Sequence, residues 1–269
     1  MAAAETLLEA GNVRLKRCRH GAFLYNIHDK FIGRSLDLYG EFSEGEAAMF
    51  AQILKPGMVA MDVGANIGVH TVFMAQAVGS GGAVFAFEPQ RVVHQLLCAN
   101  LALNSLNNVM TWHAAVGPKA GTIIVPPIRY DLEGNFGGVA LGDHERGETV
   151  PVVALDALPL RSCHFIKIDV EGMEAQVLEG ARQMIARLRP ILYVENDRKE
   201  KSQALIEALF AMDYRLYWHN TPLFNPNNFF AKGENLFGNI VSRNMLCVPK
   251  ESPTQVTNLP EITDAATGL

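Results

Sequence analysis

The sequence predicts an α/β protein in which a mostly parallel sheet carries helices on both faces. Short β-rich runs alternate with amphipathic stretches from residue 59 to residue 195, the pattern of βαβ units. The first of these runs feeds a glycine-rich turn, Asp62-Val63-Gly64-Ala65-Asn66-Ile67-Gly68, and apolar residues at helical spacing follow it.

Taken in order, residues 1–45 mix short apolar pieces with charges and read as an N-terminal extension to a domain over 46–250. Glu44-Gly45-Glu46 precedes an apolar run, 47–54, that reads as a helix ended by Lys55-Pro56-Gly57. Strands are predicted at 59–63, 83–88, 110–116, 165–170 and 191–195. Val92, Val93, Leu96 and Leu97 give the stripe of one helix, and Leu205, Ile206 and Leu209 that of another. Between them, Met173, Val177, Leu178, Ala181, Met184, Ile185 and Leu188 repeat at three and four residues, one buried helix face. The rhythm breaks over 117–163, where 122–125 and 150–155 read as strands around an insertion or lid, 126–147, rich in Gly and Pro. A second long connection, 219–238, precedes the last strand, 244–248, and 251–269 reads as a mobile polar tail.

Composition sets the bounds. Of 269 residues, 49% are hydrophobic and 19% charged, ordinary for a globular chain and incompatible with global disorder. A net charge of -5 offers no general attraction for a phosphate backbone, which excludes a long nucleic-acid groove. No apolar run approaches the ~18 residues needed to cross a bilayer, and Met1-Ala2-Ala3-Ala4-Glu5 lacks a basic leader, so a cytoplasmic protein is expected. Cys18, Cys98, Cys163 and Cys247 show no zinc spacing and read as reduced thiols, with Cys98 and Cys247 in the core.

Residues 62–68 place small residues where a strand meets a helix, so backbone can approach a ligand closely and amides at the helix start can favour an anionic group. Asp62, ending the strand, is suited to accept hydrogen bonds from an ammonium or a turn amide. An ordinary glycine-rich turn is the plainer alternative. About twenty residues on, Phe85-Ala86-Phe87-Glu88-Pro89 puts an acid at the next strand end, which suits ribose. Gly64 and Gly68 stand four apart, unlike the G-x-G-x-x-G turn of a dinucleotide fold, and this favours a smaller adenosyl ligand. Lys167, Asp169 and Glu171 alternate toward the end of a later strand, where open α/β sheets bind ligands. A lysine in so apolar a strand needs a partner, and Asp169, Asp156 or Glu195 could supply it. Their pairing either serves chemistry or only fixes the loop.

Three motifs in order, D-V-G-A-N-I-G, F-E-P and I-K-I-D-V-E-G-M-E at 166–174, resemble the FkbM family of class I methyltransferases. The likeness runs over 46–195, and 244–249 resembles the family's closing strand. The resemblance implies a Rossmann-like class I methyltransferase fold, with a seven-stranded sheet whose last strand is antiparallel. It also implies S-adenosylmethionine as cofactor. Gly64, Ala65, Asn66 and Gly68 would line its methionine end, with Asp62 and Thr71 in the same group; Glu88 and Pro89 would meet the ribose, and Ala114 and Ala115 would border the adenine.

In such an enzyme Asp169 is the candidate base, taking the proton of an acceptor hydroxyl as methyl is transferred, with Lys167 and Glu195 completing the catalytic set. Glu195 also reads as a helix-capping or lysine-pairing carboxylate. Mg²⁺ bridging Asp169, Glu171 and Glu195 is conceivable but not favoured. Of the histidines, His70 and His113 lie beside the cofactor turns, and His144 and His219 in the long connections. Asn135 and His144 are the acceptor-side candidates. Phe229-Phe230 reads as core packing ahead of an apolar acceptor wall. The expected function is O-methylation of a sugar or secondary-metabolite hydroxyl, the partner being a small-molecule or glycan acceptor. Ribose 2'-O-methylation of RNA is an alternative suggested by the Lys167, Asp169 and Glu195 set. The others are an NAD-dependent dehydrogenase and a non-catalytic adenosyl-binding module.

Overall fold

Apolar residues in the central strands alternate between two buried faces, and helices cover both. The computed structural model describes residues 5–142 and 144–268. The first four residues of the expected extension, Asp143 of the insertion and Leu269 of the tail lie outside them.

The chain opens with an antiparallel meander, β1 (Thr6–Ala10), β2 (Val13–Cys18) and β3 (Gly21–Asn26), followed by α1 (Ile32–Tyr39) and α2 (Glu44–Ile53). The α/β region then runs β4 (Val59–Val63), α3 (Val69–Val78), β5 (Ala83–Phe87), α4 (Arg91–Leu103), β6 (Val109–Trp112), β7 (Ala115–Val116), β8 (Gly121–Val125) and β9 (Glu148–Val153). It continues through β10 (Phe165–Ile168), α5 (Glu174–Gly180), α6 (Arg182–Leu188), β11 (Ile191–Glu195), α7 (Lys199–Ala211), β12 (Tyr214–Pro222), β13 (Val241–Pro249) and β14 (Glu261–Ile262).

The main sheet has the order β14-β12-β13-β11-β10-β4-β5-β6. Strands β6, β5, β4, β10 and β11 are mutually parallel, and β13 runs antiparallel to both its neighbours. On one face, Ala60, Phe165, Tyr193 and Leu246 pack with Phe50 of α2 and Met74 and Val78 of α3. The Phe50 ring sits edge-on to Phe165 and Tyr193, with centroids 5.2 and 5.0 Å away. On the other face, Met61, Ile166, Ile168 and Val194 pack with Val177 and Leu178 of α5, Met184 of α6 and Leu205 of α7. Because side chains alternate along a strand, Lys167 shares the α2–α3 face with Phe165.

Several expectations change. The sheet has eight strands rather than seven, because the polar segment after Lys250 packs back, pairs β14 with β12 and buries Ile262. The strand expected over 110–116 divides, since Ala115 and Val116 leave the main sheet to join a separate one, β7-β9-β8. The helix expected over 173–188 breaks at Ala181. Gly180 there approaches the Gly117 carbonyl so closely that a Cβ would lie 2.0 Å from it, and Asp156 caps α6 by accepting from the Gln183 and Met184 amides. Asp156 is therefore not the partner of Lys167. Residues 219–222 belong to β12.

Residues 5–45 are no appendage, since Phe23, Tyr25, Ile32 and Leu36 share one core cluster with Ala65, Ile67 and Leu97. Asn100 of α4 completes that join by bonding Leu24 through both main-chain groups and the Ile67 carbonyl. With Leu97 turned inward, Cys98 faces out and is exposed, against expectation, whereas Cys247 is buried. Among the described residues no helix is long and apolar enough to cross a membrane.

Candidate active site

A cavity of about 260 Å³ opens at the carboxyl ends of β4, β5, β10 and β11, where an α/β sheet of this topology is expected to hold a ligand. Three strand ends interlock there. Gly64 has φ +82°, and a Cβ on it would stand 1.8 Å from the Asp169 carbonyl oxygen. Asp169 donates its amide to the Val63 carbonyl at 3.0 Å, and the Gly64 and Ala65 amides both bond the Phe87 carbonyl. Asn66, itself at φ +51°, donates its amide to Glu88 Oε2 at 2.9 Å, and Gln90 donates its amide to Glu88 Oε1 at 2.8 Å. The motifs at 62–68, 85–89 and 166–174 are thus one backbone unit.

These amides are used inside the protein, so the turn does not offer the row of free donors that a phosphate needs. What the cavity presents is acid. Glu46, Glu88, Asp169, Glu171, Glu195 and Asp197 line it, a surrounding suited to a cationic or hydroxyl-bearing ligand. Burial pushes the Glu88 carboxyl up to about 7, against the pull of its two amide partners.

Lys167 pairs in register with Asp62 across β10 and β4 and is almost wholly buried. Its Nζ lies 3.0 Å from Asp169 Oδ2 and 3.6 Å from Asp62 Oδ1. Burial alone would lower the ammonium's pKa, but Asp169, Asp62 and Glu46 together raise it. Burial likewise works against a charged Asp169, and Lys167 overrides it, holding that carboxyl below the ordinary range. Glu195 goes the other way, raised well above it by burial and by the carboxylates of Asp169 and Glu171. Glu171, at φ +56° and ion-paired with Arg198, is pushed up to about 7 by burial and Asp169. Glu174 fastens this loop by accepting from the Gly172 amide at 2.9 Å.

Of the residues singled out from sequence, Gly64, Ala65, Asn66, Glu88, Pro89, Ala114, Ala115, Asn135, Lys167, Asp169 and Glu195 line the cavity. Asp62, Gly68 and Thr71 do not. Asp62 is fully buried behind the turn, accepts from Thr71 Oγ1 at 2.7 Å and offsets the charge of Lys167. Gly68 caps α3, where a Cβ would meet Leu97. His144 also lies off the cavity, its Nε2 3.1 Å from the Ala140 carbonyl oxygen. His113 touches the Pro89 carbonyl, and His219 hydrogen-bonds Tyr193 at 2.7 Å. Phe229 and Phe230 pack over Gly40 rather than the cavity.

Part of the 126–147 segment packs against this site, with Asn135, Gly137 and Gly138 in the cavity wall. Gln90 Nε2 donates to the Phe136 carbonyl at 2.8 Å, and Gly137 is pressed so near Asn66 that a Cβ would lie 2.7 Å from its Nδ2. Gln90, Glu46, Ser242 and Arg243 line the cavity, and sequence reasoning missed all four. Glu46 did leave a signal, in Ser43-x-x-Glu46 ahead of an apolar run, but that pattern reads first as a helix cap.

Oxygens of Asp169, Glu171 and Glu195 lie within 4.8 Å of one another, a hard-cation donor set. Lys167 and Arg198 already place positive charge on two of the three, so the set fits a metal poorly.

The family model described as "Methyltransferase FkbM domain" matches residues 62–216, more than half of the 269-residue chain. Methyltransferase sdnD of Sordaria araneosa is 29% identical over a stretch covering 55% of this chain and 70% of its own. Among solved structures, methyltransferase FkbM from Methylobacillus flagellatus KT aligns with 16% identity and a TM-score of 0.49. That alignment covers 74% of this chain, which spans half the length of the Methylobacillus chain. M. jannaschii TYW2, solved in complex with AdoMet, aligns with 16% identity over 90% of this chain and 88% of its own, with a TM-score of 0.46.

Proposed function

The chain belongs to the FkbM family of S-adenosylmethionine-dependent methyltransferases, and from that premise we propose that it transfers a methyl group to a hydroxyl of a sugar or other small metabolite. The observation that carries this reading is the lock between Gly64 and the Asp169 loop, which sets the Lys167–Asp169 pair beside a cofactor-sized turn in one cavity.

The residues fit the cofactor chemically. Gly64, Ala65 and Asn66 leave room close to the backbone, the acidic lining suits an ammonium and a sulfonium, and Glu88 can accept from ribose hydroxyls. Ala114 and Ala115 offer a small apolar border for a base. When bound, S-adenosylmethionine supplies an electrophilic methyl on a cationic sulfur. Asp169, kept ionised by Lys167, opposes that positive charge and accepts the hydrogen bond of the incoming hydroxyl, which orients it. Asp62 and Thr71 act one layer behind, holding Lys167 in place. Asn135, on the lid over the turn, closes the cofactor side from water.

Acceptor selection falls to the other end, where Phe31, Phe42, Leu223 and Ile240 form an apolar wall. Ribose methylation of RNA is the weaker reading, because six acidic side chains line the cavity against Lys167 and Arg243. Family membership sets the dehydrogenase reading aside. The test is incubation with methyl-labelled S-adenosylmethionine and fractionated cell extract, following label into glycan, small-molecule, lipid and RNA pools. Label in a glycan or small-molecule pool is the expected result, and label confined to RNA refutes the acceptor class.

A further inference from the structure

Lys167 and Asp169 face the side of the sheet covered by α2 and α3, and each of those helices brings a buried titratable group to the cavity wall. From α2 comes Glu46, 4% exposed; from α3 comes His70, 8% exposed. Three donors engage Glu46 Oε1: Ser43 Oγ at 2.8 Å, Ser242 Oγ at 2.7 Å and Asn244 Nδ2 at 3.3 Å. Oε2 is set differently. It stands 3.5 Å from His70 Nε2, and no hydrogen bond fixes it among the described residues. A carboxylate with one oxygen saturated and the other unclaimed, in the wall of a cavity, is built to accept a proton or hydrogen bond from a ligand.

Resting on the methyl-transfer reading above, we propose that Glu46 receives the proton of the acceptor hydroxyl on the oxygen that faces His70, while Asp169 orients that hydroxyl. The hydroxyl oxygen forms the new C–O bond as the methyl–sulfur bond breaks, sulfur keeping that electron pair. The O–H proton passes to Glu46 Oε2, turning carboxylate into carboxylic acid, and water returns it to solvent when product leaves.

The neighbouring carboxyls suit this task less well. Asp169 is committed to Lys167 and held below the ordinary range, which makes it a weak proton sink, and burial with the carboxylates of Asp169 and Glu171 pushes Glu195 the other way, toward its protonated form. Glu46 is raised by burial and by Asp169, although Lys167 opposes this. The other groups around it are Tyr193 of β11 and His219 of β12, both of which feel its charge, and His70, pushed down to about 4 by burial and Lys167 and therefore neutral. A raised carboxyl is ionised only at higher pH, so turnover falls as pH drops through a value above the usual carboxylate range.

The experiment measures the initial rate of label transfer into the extract fraction that wild type labels, alongside calorimetric binding of S-adenosylhomocysteine and the melting temperature. Glu46→Gln keeps an oxygen for Ser43 and Ser242, so the expected result is unchanged melting, homocysteine-cofactor affinity within twofold, and a rate down about 100-fold. Glu46→Ala is expected to fall as far and to recover at least tenfold in added formate, which supplies the missing base. Glu46→Gln retaining a third of wild-type rate, or absence of formate rescue in a folded Glu46→Ala, overturns the proposal. Should both variants fail to fold, wild type decides, because a rate flat from pH 5 to 9 contradicts a titrating base. Absence of label with wild type itself, despite cofactor binding, refutes the methyl-transfer reading and this proposal together.

Discussion

One end of the cavity is made from backbone, the turns at 62–68, 85–90 and 169–174 bonded to one another; the other is made from side chains that converge from 31–46, 223 and 240–243. The first end tolerates almost no change of residue type, because Gly64 and Asp169 touch main chain to main chain. The second is a set of separate choices, an apolar wall with one polar cluster, that can vary without unmaking the fold. On the proposed reading the first end holds the cofactor and the second the acceptor.

The largest effect expected sits where the two ends meet. Asp169→Ala should reduce methyl transfer about 1,000-fold or more while the protein stays folded, since Lys167 keeps Asp62 as a partner. Single-turnover label transfer with a parallel melting curve checks this, and near-normal turnover would break the comparison at its junction.

At the backbone end, Gly64→Ala should weaken S-adenosylhomocysteine binding about 100-fold. It should also lower stability by more than the ~1–2 kcal/mol of a left-handed alanine, because the new Cβ meets a carbonyl. Gly57→Ala is the control. Its φ is +87° with nothing within 4 Å of a Cβ, so only the conformational cost remains. Equal melting shifts for the two would show that the interlock contributes little.

Glu88 gives a smaller, graded effect. With its carboxyl pushed up to about 7, protonation below that value turns an acceptor oxygen into a donor, which the proposed role of accepting from ribose hydroxyls does not tolerate. S-adenosylhomocysteine affinity should therefore fall about tenfold from pH 8 to pH 6, the loss of ionised carboxylate across that interval. Glu88→Gln should bind weakly at both values. Affinity in wild type that rises toward pH 6 would reverse the sign and sink the assignment.

The smallest effects belong outside both ends. His144→Ala should leave transfer within twofold, and Cys98→Ser should change stability by less than about 0.5 kcal/mol, as expected for side chains off the cavity and out of the core. Excess EDTA should not alter the rate, since Lys167 and Arg198 already meet the acidic trio.

The same contrast explains what the sequence discloses. The backbone end is legible because each of its turns is a contiguous string, and Gly64 answers to its contact with the Asp169 carbonyl. Even there, Asp62 and Thr71 read from the sequence as ligand-facing, whereas the structure sets both behind the turn, because a strand's alternation tells which face a residue takes but not which layer. The acceptor end is hidden for a different reason. Glu46 comes to the cavity only because α2 packs on the sheet face that carries Phe165 and Tyr193, and Ser242 arrives through the antiparallel return of β13. No local period carries either fact. Cys98 reads as core but lies one residue of helical phase away, since Leu97 holds the buried position on α4.

The most direct test of the central claim is calorimetric titration of the purified protein with S-adenosylhomocysteine and with NAD. One-site binding of S-adenosylhomocysteine that Gly64→Ala weakens about 100-fold, with no heat from NAD, is the predicted result. Saturable NAD binding without S-adenosylhomocysteine binding would contradict it.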